Sequence, residues 1–190
     1  MRPDCPLCGA AAASLLAGGT TGRDEWVRCA SCRLVWKRSE WVEADALPRP
    51  HDDARYFDRY ARRRRRRIAK SRRQLLDALE AAPPGPVLDV GCSLGYALEA
   101  AAGLGREAAG VDASPHAVEA CRRLGLDVRE GGIAQLPFAG STFAVVLLKH
   151  VLEHTPCPRE ALAEQRRVLV PEGALFVAVP HGGYWKARWM

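Results

Sequence analysis

The sequence predicts an α/β chain, a doubly wound, mostly parallel sheet preceded by a small cysteine-stapled ribbon. Two observations carry this expectation. "PPGPVLDVGCSLGYALEAA" followed by "EAAGVDASPHAVEACRRLG" reads strand, glycine turn, helix, strand, acid, which is the order of a nucleotide-binding βαβ unit. Ahead of it, "CPLCG" and "CASC" set Cys5, Cys8, Cys29 and Cys32 in two CxxC pairs.

The 190 residues are 48% apolar, enough for a buried core and too apolar for a disordered chain. The formal net charge is +6, yet residues 58–77 hold ten basic side chains against two acidic ones, so that stretch alone carries +8 and the remainder −2. The basicity is local. No apolar run approaches the roughly 20 residues that span a bilayer, and "MRPDCPLCG" lacks the layout of a signal peptide, so a cytoplasmic protein without a membrane partner is expected. Cysteines in that compartment are thiols or metal ligands rather than disulfides.

Residues 1–47 are read as a zinc ribbon. Each CxxC pair closes a tight turn around one side of a tetrahedron, and four thiolates leave no open position for water, so the zinc is expected to be structural. A redox CxxC is the rival. Pro6 stiffens the first knuckle, and Gly9 can take the positive φ that lets amides approach the sulfurs. "WVRC" and "RLVW" read as the strands. Cys92, Cys121 and Cys157 stand singly and are read as thiols in apolar sites.

Residues 48–82 are read as a linker, "PRPHDD", and a basic helix from about residue 55 to 81. With Ile68 as reference, Phe57, Ala61, Leu75 and Leu79 fall within about 20° on a helical wheel and define the apolar stripe. The run Arg62 to Arg67 is either a phosphate-gripping arm or a solvated helix face. Six consecutive arginines sweep more than a full circle; Arg64 lies about 40° from the stripe centre and is expected to face the domain or the cofactor mouth, the others mostly water. Base-stacking aromatics are missing from the run itself.

In residues 83–190 a buried strand covers Val87 to Val90, a helix starts at about Tyr96, and a second strand ends at Asp112. Ser114 is placed as N-cap with Pro115 in the first turn. Asp112 stands 21 residues beyond Gly91, placed for a ribose hydroxyl pair. A nicotinamide fingerprint needs glycine at 91, 93 and 96; the chain has Gly91, Ser93 and Tyr96.

With Gly91 and Gly95 as its glycines, "DVGCSLG" resembles motif I of the class I S-adenosylmethionine-dependent methyltransferases, and "GVDAS" their acidic motif. "LPFAGSTFAVVLLKHVLEHTPCPREALAEQRRVLVPEGALFVAVP" resembles the later motifs in order and interval. With "CPLCG…CASCRLVW" and "YFDRY" ahead, the chain is similar to the zinc-ribbon branch, in which sugar C-methyltransferases are the best-known members.

The resemblance implies a Rossmann-like domain, S-adenosylmethionine as cofactor and a small-molecule acceptor. It implies cofactor contacts at Asp89, Gly91, Cys92, Ser93 and Gly95, at Asp112 and Ala113, at Ile133 beside the adenine, and at Lys149 near the sulfonium. His150, Glu153 and His154 are the candidate bases, or else polar residues that hold their loop. The family's sheet usually ends in an antiparallel pair, so a domain stopping soon after the fifth strand is expected to be C-terminally incomplete. Four departures stand out: Ser93 for the middle glycine, Gly132 where many relatives carry an acid for the adenine amino group, Ala144 for the aspartate of FDVV, and Glu172 for the first glycine of PGG.

Two rival functions compete. "HVLEH" satisfies HxxEH, a zinc-peptidase pattern, but "TPCP" follows at once and its prolines oppose the long helix that motif needs. An RNA-binding or RNA-methylating protein would use ribbon and arginine helix together.

Overall fold

The computed structural model describes residues 4–11, 13–17, 26–37, 61–155 and 157–180. The ribbon is a three-stranded antiparallel sheet, β1 (Ala13–Ala17), β2 (Trp26–Cys29) and β3 (Val35–Lys37), in that order. The two expected strands are present, and β1, "ASLLA", is an addition that its plain apolar pattern did not announce. Val27 and Trp36 face each other across β2 and β3 and are buried with Cys5 and Cys29. So small a core is of little weight by itself.

The second unit is a five-stranded sheet. Its strands β4 (Val87–Val90), β5 (Ala108–Asp112), β6 (Asp127–Glu130), β7 (Phe143–Lys149) and β8 (Leu169–Ala178) lie in the order β6-β5-β4-β7-β8. Every described pairing is parallel. The chain starts in the middle, winds outward to β6, then returns to the other side of β4. The crevice at the carboxyl ends of β4 and β7 is therefore where such sheets bind ligands.

Helices cover both faces, which is why β4 and β7 are buried along nearly their whole length. α1 (Arg64–Glu80) and α2 (Tyr96–Ala102) cover one side, where Leu75, Ala78, Ala97 and Ala101 meet Val87, Val145 and Leu147. Leu88, Val90, Val146 and Leu148 point the other way and pack with Val168 of α4 (Pro158–Val168). α3 (Pro115–Arg123) follows β5, capped as expected by Ser114, whose Oγ accepts from the Ala117 amide.

Of the helix expected from about residue 55 to 81, Ala61 is helical, residues 62–63 form a turn, and α1 runs from Arg64 to Glu80. Phe57 and the linker lie outside the described residues, as does the stretch after Pro180 on which the expected early stop rests. Ala61 is exposed rather than part of the stripe, because Arg63 leaves helical geometry at φ −113 and ψ 19. The buried line runs through Ser71, Leu75 and Ala78 instead, with Ile68 and Leu79 half-buried beside it. Arg64 behaves as expected, forming an ion pair with Glu99 in the first turn of α2.

Two of the departures adopt the backbone that glycine would supply. Ser93 sits at φ 50 and Glu172 at φ 60, both left-handed. An L-residue there costs about 1–2 kcal/mol. Ser93→Gly and Glu172→Gly are each expected to raise stability by about 1 kcal/mol, less the extra unfolded-state entropy of glycine, and to add in the double variant. Urea unfolding measures it.

Candidate functional site

The turn after β4 is built on glycine for two reasons. Gly91 and Gly95 have φ of 71 and 73. A Cβ on Gly91 would stand 2.3 Å from Val151 Cγ2, and one on Gly95 2.4 Å from Leu126 Cδ1. The first contact brings the beginning of the "HVLEH" segment directly against the glycine turn. The amides of Gly91 and Cys92 both donate to the Val111 carbonyl, at 2.7 and 3.0 Å, tying the turn to the end of β5.

Asp112, at that end, gathers three loops. Its Oδ2 accepts from the Ser93 amide at 2.7 Å and its Oδ1 from the Ser114 amide at 2.9 Å. Its carbonyl accepts from Gly131 at 3.1 Å, at the start of the loop that carries Ile133. A carboxylate has about four acceptor sites, so two remain for a ligand diol. Ala113 is exposed beside it. Ser93 Oγ is buried in the same turn without a hydrogen-bond partner. An orphaned hydroxyl beside a pre-ordered carboxylate is the kind of arrangement a polar ligand completes.

Other expected contacts are placed differently. Asp89 is 2% exposed and its Oδ1 stands 3.3 Å from Lys149 Nζ. Burial pushes the Asp89 carboxyl up from its ordinary value and the Lys149 ammonium opposes that. The two side chains form one buried pair linking the ends of β4 and β7. Cys92 turns its side chain inward, into a cluster with Leu98, Val118 and Cys121. A Cβ on Gly110 would lie 2.8 Å from its sulfur, the reason β5 carries glycine there. A hydrogen bond to Cys121, together with burial, pushes the Cys92 thiol up and keeps it protonated. Any ligand contact at Cys92 is therefore by backbone.

At the end of β7, His150 takes φ 57 and is exposed, its amide held by the Ala178 carbonyl at 2.8 Å. "LEH" forms one 3-10 turn, Leu152–His154, and not the long helix that HxxEH requires. His150 Nδ1 lies 3.5 Å from Glu153 Oε1, and Glu153 Oε2 is buried without a hydrogen bond. His154 is exposed. Among the described residues the four ribbon cysteines are the only cluster able to hold a metal, which removes the peptidase reading.

The Ile133 loop has a support that sequence reading missed. From α4, Gln165 donates to the carbonyls of Ile133 and Ala161 at 2.9 and 3.0 Å. Glu164 accepts from the Leu136 amide at 2.7 Å, and Arg167 donates to the carbonyls of Leu136 and Phe138. The signal was a glutamine in a helix where neighbouring turns bury Ala161 and Val168. Gln165 is fully buried, so Gln165→Leu leaves the Ile133 carbonyl unpaired and is expected to cost about 1–3 kcal/mol in urea unfolding. Arg167, with the Leu136 amide assisting, holds the Glu164 carboxyl below its ordinary 4.5. Its contribution is complete above that ordinary value and is lost as pH falls through the lowered folded one.

In the ribbon, Cys5 and Cys32 sulfurs are 3.5 Å apart, as are those of Cys8 and Cys29, and all four lie within 4.8 Å of one another. A tetrahedron with metal–sulfur bonds of about 2.3 Å has sulfur–sulfur edges of about 3.8 Å. The set fits a four-thiolate ion. Gly9 has the expected positive φ, 72, and the Ser31 and Cys32 amides donate to Cys29 Sγ. Led by the Cys32 amide, these bonds bring the Cys29 thiol down to about 6.

A central strand leading into a glycine turn, a second strand ending in an acid that binds that turn, and parallel winding in both directions define a nucleotide-cofactor domain. Residues 88–177 match the methyltransferase domain family. Over that stretch the chain is similar to S-adenosylmethionine-dependent methyltransferases. It is 36% identical to an uncharacterized 37.1 kDa protein in transposon TN4556 of Streptomyces fradiae, over 68% of this chain and 39% of that protein. It is also 36% identical to a demethylmenaquinone methyltransferase of Renibacterium salmoninarum, over 56% of this chain and 46% of that enzyme. It thus spans less than half the length of these two relatives. A solved S-adenosylmethionine-dependent methyltransferase of Thermotoga maritima superposes with a TM-score of 0.51 at 26% identity, over 65% of this chain and 57% of that one. No described helix is long and apolar enough to cross a membrane.

Proposed function

We propose that this chain binds S-adenosylmethionine in the crevice between β4, β5 and β7 and supports methyl transfer to a small-molecule acceptor, a sugar or a biosynthetic intermediate. The observation that carries this is Asp112, which is bonded to the glycine turn, to the α3 cap and to the Ile133 loop. Its free acceptor sites take the ribose hydroxyls. The backbone of the turn from Gly91 to Gly95 lies along the amino-acid part, and Ile133 borders the adenine. The similarity to a demethylmenaquinone methyltransferase supports a small acceptor.

When bound, the cofactor supplies an electrophilic methyl group. The chain's own contribution is alignment and exclusion of water, which in an in-line displacement accounts for most of the rate. Lys149 does this indirectly, its ammonium tied down by Asp89. For an acceptor that must lose a proton, His150 is the base and Glu153, 3.5 Å away, orients it. His154 is assigned to the loop. In the ribbon, Cys5, Cys8, Cys29 and Cys32 hold a structural zinc ion.

The test is calorimetry with S-adenosylhomocysteine. A Cβ on Gly132 would meet nothing within 4 Å, so Gly132→Asp can restore the acid that many relatives carry. It is expected to tighten binding by about tenfold through one charge-assisted hydrogen bond to the adenine amino group. Absence of any binding by the parent chain sinks the proposal.

A further inference from the structure

The arginine run is the one conspicuous feature that the cofactor site does not absorb. Arg64 pairs with Glu99, and Arg67 is engaged as well. Arg62, Arg63, Arg65, Arg66, Lys70, Arg72 and Arg73 are exposed, with no acidic partner among the described residues. No acid occurs between Arg59 and Leu76. Arg66, Lys70 and Arg73 form a line along α1, successive members about one turn apart, on the side away from Ser71, Leu75 and Ala78. Beside them Arg62 to Arg66 line a surface concavity of about 510 Å³.

This arrangement costs local stability. Like charges one turn apart oppose each other, and cations crowd the positive end of a helix that has no side-chain cap and no acid in its first turn. Beyond the contacts of Arg64 and Arg67, no acidic group among the described residues offsets that repulsion, whereas a polyanion would. We propose that the outer face of α1 is a docking surface for the phosphate backbone of a nucleic acid.

The chemistry favours this partner over an anionic bilayer. The apolar side of α1 is spent on the sheet, and Leu76 is the only exposed large apolar residue on the helix, so nothing remains to insert into lipid. Six of the seven free cations are arginines, whose planar fork matches phosphate oxygens in pairs. The described part of this face carries no aromatic residue for stacking, so contact is with the backbone and independent of sequence. The inference stands apart from the methyl-transfer reading.

The experiment uses the full chain and a fluorescein-labelled, mixed-sequence 20-nucleotide single-stranded RNA, followed by anisotropy across a sodium chloride series. Binding is expected to weaken steeply with salt. In the triple variant Arg66→Gln, Lys70→Gln, Arg73→Gln, affinity should fall at least tenfold at low salt and the log–log salt slope by about 2, at about 0.7 per lost phosphate contact on single strands. The three residues are exposed and repel one another, so the variant should unfold no earlier than the parent and keep its affinity for S-adenosylhomocysteine. Equal RNA binding by variant and parent, or no binding by the parent, overturns the proposal. So does salt-sensitive binding to phosphatidylserine vesicles with none to RNA, which assigns the face to membranes.

Discussion

Asp112→Ala is expected to weaken S-adenosylhomocysteine binding by at least about 100-fold. The carboxylate offers the ribose two charge-assisted hydrogen bonds of about 1.5–3 kcal/mol each, and about 2.7 kcal/mol is already a hundredfold. The variant also strips the Ser93 and Ser114 amides of their acceptor, so the empty turn is loosened before any ligand arrives. Asp112→Asn separates the two effects. It keeps one amide bond but loses the charge, and should fall between alanine and the parent. Calorimetry reads the affinities and urea unfolding the stabilities. If Asp112→Ala binds as tightly as the parent, the ribose is held elsewhere and the site must be redrawn.

Removal of metal from the ribbon should have the other large effect. Structural zinc sites bind with about 10–16 kcal/mol near neutral pH, far more than a core of Val27, Trp36, Cys5 and Cys29 can replace. The purified chain is expected to hold one zinc per molecule by elemental analysis, and cobalt exchange should give the absorption of a tetrahedral thiolate site. Chelation, or Cys29→Ser, should unfold the ribbon while S-adenosylhomocysteine affinity changes by less than about twofold. Those core clusters of the cofactor domain that surround β4 and β7 contain no ribbon residue. A chain that keeps its ribbon fold with no bound metal would defeat this expectation.

The proposed base pair and the docking face differ in what exposes them. His150 and Glu153 were legible as candidates from "HVLEH", but their proximity was not, because it depends on the left-handed turn at His150. The arginine run was legible as charge. Which members are free was not, since that required knowing which acids the fold brings near.

The same distinction runs through the fold. β4, α2, β5 and the Ser114 cap were readable because each rests on local chemistry: an apolar run, a glycine turn, a hydroxyl ahead of a proline. β1 was missed because "ASLLA" carries no alternation that separates strand from helix. The apolar stripe of the basic helix was carried too far, to the exposed Ala61, because wheel geometry extends a stripe across a break in the backbone such as that at Arg63.

By itself the sequence determined the two CxxC knuckles, the glycine turn, the acid that follows it and the order of strands. These depend on spacing along the chain, where a few residues fix the dihedrals and ligand distances. Only the tertiary structure decided that Asp89 is held by Lys149, that Cys92 turns inward, that Gln165 carries the Ile133 loop and that Arg64 meets Glu99. Each of these joins residues far apart in sequence. Their partners are set by how helices and strands pack, and in a buried site polar groups must find whatever partner that packing brings.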